Sequence, residues 1–283
     1  MIVLVFNVII ASVKIIYGYY ANVLSISADG YDSGLDALAN IIALVAIIFA
    51  SKPENKKYPY GYAKIETFAS LAIGFSLLFV SLEIISSAID KFNGHSEPMV
   101  STVSFIIMFS ALLANYAISV YEKRKAIEFH SDVLMSDSQH TKSDVLVTGV
   151  VLIGLVFMKL GYSIVDPILS IIIAIAIIYT GLKIVHKELS VLLDKNQISS
   201  VDIINFLMHE DNIYNIHNVR TRGTSSKVYV DMHMVVDSSL SMKEAHDISE
   251  LCEKAIKEKY PQVCEVLIHL ESLEGMDDAV ELE

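Results

Sequence analysis

Six long apolar runs fill the first two thirds of the chain, at about residues 2–20, 23–50, 68–89, 100–121, 133–158 and 164–184. A bilayer core about 30 Å thick takes about 20 residues of helix at 1.5 Å each, so every run is read as a membrane-spanning helix. The polar connections between them decide the orientation. Those after the second, fourth and sixth runs carry Lys52, Lys56, Lys57, Lys64, Lys123, Arg124, Lys125, Lys183 and Lys187, whereas the others carry only Lys91 and Lys159. Positive charge collects on the cytoplasmic side, which predicts that both termini lie inside.

After residue 188 the pattern shortens to that of a small α+β domain. Ser199 or Ser200 caps a helix running to about residue 209, and strands follow at 213–221 and 227–236, the second rich in alternating β-branched residues. Ser241-Met-Lys-Glu244 forms a capping box that opens a helix to about residue 259. Pro261 ends it, and residues 263–270 supply a third strand. The expected organisation is therefore a six-helix transmembrane domain over 1–188 and an α-β-β-α-β domain over 189–283, with a ferredoxin-like or metallochaperone-like order.

Composition agrees with two solvents. Of the 283 residues 53% are hydrophobic and 19% charged, and the mean hydropathy is +0.51. The net charge of −12 is uneven. Residues 1–188 hold 13 Lys and Arg against 15 Asp and Glu, while 189–283 hold 8 against 18. Such an acidic chain lacks the basic face a nucleic-acid binder needs. Cys252 and Cys264 have neither a CxxC spacing nor the density of a disulfide scaffold, and are expected to be reduced. The opening segment has no basic lead, and Ile10-Ala-Ser-Val-Lys14 is a poor cleavage site, so a removable signal peptide is not expected.

The chemistry is expected where charge enters the spans. Asp32 and Asp36 lie in the second, His140 and Asp144 in the fifth. Asp36 is about 24 Å of helix from Lys52, and Asp144 about 22 Å from Lys159, which puts both pairs near mid-bilayer. A charge there costs at least about 2.5 kcal/mol and persists where a partner or water compensates it. Each pair is spaced i, i+4 and shares a helix face. Two such faces meeting offer three carboxylates and one imidazole, enough ligands for a tetrahedral divalent metal. The segments Asp29-Gly-Tyr-Asp32-Ser-Gly-Leu-Asp36 and Asp137-Ser-Gln-His140-Thr-Lys-Ser-Asp144 share the pattern D-x-x-[D/H]-x-x-x-D. The alternative is a buried hydrogen-bonded network or proton path without metal. Asp29 and Asp137, one turn away, are weaker candidates.

These pairs, the six spans, the α-β-β-α-β order, the loop Tyr58-Pro-Tyr-Gly-Tyr-Ala-Lys64-Ile-Glu66 and His217-Asn-Val-Arg220-Thr-Arg222 together resemble the cation diffusion facilitators. The resemblance implies a homodimer that exports a divalent metal from the cytosol in exchange for protons, with zinc the leading substrate and iron(II), manganese, cadmium or cobalt as alternatives. It also implies a prokaryotic cell membrane as location, since the connection between spans four and five has no His-rich insertion. His217, His233, His246, His269 and Glu271 fall on the family's cytosolic metal-binding positions, and Lys64 on that of a base paired with an acid after span six, here Asp194. Where some relatives bind a second metal in the loop after span two, this chain has Asn55, Tyr58 and Tyr62, so that site is expected to be missing. His95, His130 and His209 have no assigned role. A membrane metal sensor that does not transport is the reading from another class. An intramembrane metalloenzyme is disfavoured, because no H-E-x-x-H occurs and four ligands leave no position for an activated water.

Overall fold

The computed structural model describes residues 2–50, 52–94, 98–128, 132–208 and 213–273. The chain forms two compact units, one of residues 1–45 and 69–185 and the other of 46–68 and 186–283. His95, His130 and His209 lie outside the described residues.

The apolar runs become α1 (Ile2–Tyr20), α2 (Leu24–Ala50), α3 (Lys64–Phe92), α4 (Thr102–Glu128), α5 (Asp132–Lys159) and α6 (Val165–Leu192). Among the described residues these six are long and apolar enough to cross a membrane. Several overrun the apolar stretches. Lys64, Lys123, Arg124, Lys125, Lys183 and Lys187 sit inside helices, because a helix satisfies its own backbone whether or not its surface is charged. The outward faces carry residues such as Phe6, Phe75, Phe79, Leu146 and Tyr179, apolar side chains suited to lipid.

Packing in the first unit is densest at one end of the bundle. Its apolar core gathers Val23 and Ile26 from the start of α2, Ile84 from late α3, Met108 from early α4, Val151, Leu155 and Met158 from late α5, and Ile173 and Ile177 from early α6. All of these lie toward the link between α1 and α2. There α1 and α2 approach closely. A Cβ on Gly30 would stand 2.8 Å from the Ile15 backbone nitrogen and 2.8 Å from Lys14 Cβ, and one on Gly34 would touch Ala11. The G-x-x-x-G spacing of these two residues lets the backbones meet.

At the same end Asp166, wholly buried at the start of α6, accepts hydrogen bonds from the Leu24 and Ser25 backbone N–H groups and from the Ser25 hydroxyl. A carboxylate on the free N–H groups of a helix start matches the helix dipole. Lys91 Nζ at the end of α3 completes the group, 2.8 Å from Asp166 Oδ2. Farther along the bundle α4 and α5 are stitched by reciprocal bonds between Ser119 and Ser138, and Thr141 donates to Glu122 at 2.8 Å.

In the second unit α7 (Ser200–Leu207), β1 (Ile213–Thr224), β2 (Lys227–Val236), α8 (Met242–Lys259) and β3 (Val263–Ser272) follow in the expected order. The sheet order is β1-β2-β3, with β1 antiparallel and β3 parallel to β2. Val228, Val230, Met232, Met234 and Val236 alternate into a core shared with Ile203 and Leu207 of α7 and with Ala245, Cys252 and Ile256 of α8. Both helices thus cover one sheet face. Cys252 and Cys264 are free thiols. Ser241 caps α8 as expected, accepting from the Glu244 N–H while the Glu244 carboxylate accepts from the Ser241 N–H. Lys227, at the start of β2, donates to Glu54 at 2.9 Å, and that bond holds its ammonium above the usual lysine range.

Two outcomes are expected. Gly30→Leu should force α1 from α2 and lower stability by about 1–3 kcal/mol, read as a fall in the melting temperature of the detergent-purified chain. The Ser241 hydroxyl and N–H hold the Glu244 carboxyl below its usual range, so its contribution is full above the ordinary glutamate value of about 4.3 and fades as pH falls through the lowered folded value. A Ser241→Ala chain, followed by circular dichroism during acidification, should lose helix at higher pH than wild type.

Candidate functional site

The two i, i+4 pairs meet. His140 Nε2 of α5 lies 3.0 Å from Asp36 Oδ2 of α2, and ligand atoms of Asp36, His140 and Asp144 all fall within 4.8 Å of one another. Asp32 stands outside that trio. It occupies the same half-buried face of α2, with Asp29, Asp36, Asp144 and His140 as its charged neighbours. The His140 side chain keeps 49% of its surface exposed. Two carboxylates and an imidazole at this separation, with a third carboxylate a turn along, suit a divalent cation and leave no room for three negative charges without one.

Next to this group lies a second polar cluster that the sequence reading leaves without a role. Lys14 of α1, wholly buried, places Nζ 2.8 Å from Asp29 Oδ2, 3.3 Å from Ser33 Oγ and 3.2 Å from Thr148 Oγ1. Thr148 in turn donates to the Asp29 carboxylate, 3.1 Å from Oδ2. Asp29 is therefore satisfied by a cation already in the protein, which sets it apart from Asp32. The signal was a lysine within an otherwise apolar span, a residue that needs an acid somewhere in the membrane. Nothing in the sequence says which acid. Truncating one member of such a buried pair costs about 3–5 kcal/mol.

In the second unit the sheet register aligns His217 of β1 with His233 of β2, and His233 with His269 of β3. Alternation explains why they share the open face. His233 lies between the core residues Met232 and Met234, and His269 between Ile268 and Leu270, both packed on the core. A bulge after His217, with Asn218 at φ +51°, absorbs the extra residue between the buried Ile216 and Val219. Two residues beyond His269, Glu271 bridges the row. Its Oε1 lies 2.6 Å from His233 Nδ1 and its Oε2 3.3 Å from His217 Nε2.

Ligand atoms of His217, His233 and Glu271 lie within 4.8 Å of one another. His217 Nδ1 is buried with no hydrogen-bond partner. The rings of His233 and His269 stand 4.9 Å apart, but His269 is exposed and belongs to the flank of the group. His246, exposed on α8, is not brought into it.

Lys64 and Asp194 do meet, at 3.5 Å, each about half exposed. Asp194 reaches back from a left-handed turn after α6, at φ +53°. The loop residues Asn55, Tyr58 and Tyr62 engage one another. Asn55 Oδ1 accepts from the Lys57 and Tyr58 N–H groups, its Nδ2 donates to the Tyr62 hydroxyl, and the two tyrosine rings pack in a tilted arrangement with centroids 4.8 Å apart.

Known proteins match this arrangement along the whole chain. The model of the cation efflux transmembrane domain covers residues 1–193, and that of the cation efflux protein cytoplasmic domain covers 196–273. The chain is 29% identical to an uncharacterized transporter of Methanocaldococcus jannaschii, over 96% of this chain and 92% of the relative. It is 26% identical to the cation-efflux pump FieF of Shewanella oneidensis, over 91% and 88%, and 26% identical to the manganese efflux system protein MneP of Bacillus subtilis, over 95% and 94%. With both parts matched in order, the chain belongs to the cation efflux family, the cation diffusion facilitators, which are integral membrane transporters of divalent metal cations and not enzymes.

Proposed function

We propose that the chain is a proton-coupled antiporter that exports a divalent metal, zinc first, by alternating access to a seat made of Asp32, Asp36, His140 and Asp144. The meeting of His140 and Asp36 at 3.0 Å carries this reading, because it joins helices more than 100 residues apart at the depth where each alone is costly. Ligands bind metal only when deprotonated, so loading from a near-neutral cytosol releases protons and protons from outside displace the metal. His140 is the natural carrier of that exchange, because an imidazole nitrogen can either ligate a metal or hold a proton. Nine of the eleven cations near the span ends lie at the ends shared with both termini, which supports cytoplasmic termini, and the connection between spans four and five, without a His-rich insertion, supports a prokaryotic cell membrane. An oxygen-rich donor set also suits harder ions, so manganese(II) or iron(II) is the second reading.

Residues 1–188 carry transport, and residues 189–283 bind metal and hold two copies together. His217, His233 and Glu271 supply two nitrogens and a carboxylate to zinc, with His269 and His246 as outlying contributors. Metal bound there stabilises the folded domain by mass action, a form of regulation by cytosolic metal. Lys64 and Asp194 are a charge interlock at the dimer junction. As an exposed pair they add about 1 kcal/mol at most, so geometry is their contribution.

Zinc uptake into proteoliposomes under an imposed pH gradient tests the reading. Wild type should move zinc, Asp36→Ala and Asp144→Ala should not, and His140→Ala should transport with weakened affinity and coupling. Full flux in the Asp36→Ala, Asp144→Ala double variant would sink the assignment. For the soluble part, zinc should raise the melting temperature of wild type, and the Ala/Ala/Gln variant at His217, His233 and Glu271 should lose most of that rise while flux persists.

A further inference from the structure

A charged pair is an odd choice for holding helices together in lipid, where well-packed apolar residues of the same volume do at least as well. Lys14 and Asp29 are 0% and 1% exposed, and they sit beside the presumed cation seat. On α2, Asp29 precedes Asp32 by three residues; on α5, Thr148 follows Asp144 by four. Because α2 begins and α5 ends at the same end of the bundle, both steps lead toward the α1–α2 link. Lys14 joins from α1, six residues before its end at Tyr20 and about 9 Å from it. The three helices are thus tied together one turn beyond the ligands, toward that link.

We propose that Lys14 and Asp29 are the outer gate of the transport site, a neutral clamp across α1, α2 and α5 that has to part before a bound cation leaves toward the α1–α2 link. The inference rests on the reading of Asp32, Asp36, His140 and Asp144 as the cation's seat. The clamp suits both states of a carrier. Closed, it presents an ammonium to a divalent cation and withholds the Asp29 carboxylate. Open, it gives a departing cation a carboxylate between the seat and the Asp166 group at the α1–α2 link. Gly30 is what allows it. A Cβ there would meet Lys14 and Ile15 at 2.8 Å, so only glycine lets α1 come close enough for the ammonium to reach Asp29, Ser33 and Thr148.

A gate made of opposite charges beside a cation seat has a signature that simple packing lacks. Lys14→Gln leaves Asp29 unpaired and makes the seat more attractive to a divalent ion. Asp29→Asn leaves Lys14 unpaired and does the reverse. In proteoliposome flux assays the zinc concentration for half-maximal rate should fall about fivefold or more for Lys14→Gln and rise by a similar factor for Asp29→Asn. The Lys14→Gln, Asp29→Asn double variant keeps size and net charge, so its half-saturating concentration should stay within about twofold of wild type. Having lost the clamp, it should move zinc down its gradient with little dependence on the pH gradient.

Shifts of the two single variants in the same direction, with the double variant as tightly coupled as wild type, would show a structural pair and overturn the gate. If the single variants do not fold, the coupling of the double variant decides alone. The assay is run with zinc, manganese(II) and iron(II). A wild type that moves none of them overturns the transport reading itself, whereas wild-type behaviour of all three variants beside an active wild type overturns only the gate.

Discussion

Inside a bilayer a polar group has no water to fall back on, and the first unit is organised by that shortage. Each buried charge is matched within the protein. Asp166 is held by the start of α2 and by Lys91, and Asp29 by Lys14 and Thr148. Against that background Asp36, His140 and Asp144 differ. Their ligand atoms lie within 4.8 Å of one another, so they face each other and, among the described residues, form no salt bridge with a lysine such as Lys14 or Lys91, which leaves a donor set that could take a metal ion.

The polar groups are also arranged by depth. The Asp166 group lies where α2 starts, α3 ends and α6 starts; the Lys14 clamp follows; the cation seat comes next. The apolar core packs alongside the first two. The side chain of His140 keeps about half of its surface exposed. The packed end of the bundle is held by a few charge pairs as well as by apolar contacts. The clamp and the seat share α2 and α5, so a change in spacing between those helices affects both.

The second unit works by a different rule. Its strands have water on one side, and period-two alternation turns every second residue away from the core. That is enough to place His217, His233 and His269 in a single row across three strands, provided the register is right. The bulge at Asn218 lets β1 keep both Ile216 and Val219 in the core while leaving His217 opposite His233. Glu271 then spans two histidines from the third strand.

By itself the sequence determined the elements. Six apolar runs of membrane length, the capping box at Ser241 and the alternation of residues 227–236 are local patterns, and local patterns follow from backbone geometry and from which solvent each residue faces. It also singled out Asp32, Asp36, His140 and Asp144, because a mid-span charge is costly wherever it packs, but not that Asp32 would stand apart from the other three. Tertiary structure decided the pairings. Whether Lys14 would find Asp29, Asp36 or Asp144 depends on how closely α1 approaches α2, and Gly30 sets that through a contact between residues fifteen apart. Likewise, Glu271 rather than His269 closes on His233 and His217, and His246 stays exposed on α8 outside that group, because strand register and helix docking are properties of the assembled sheet that no single stretch of the chain contains.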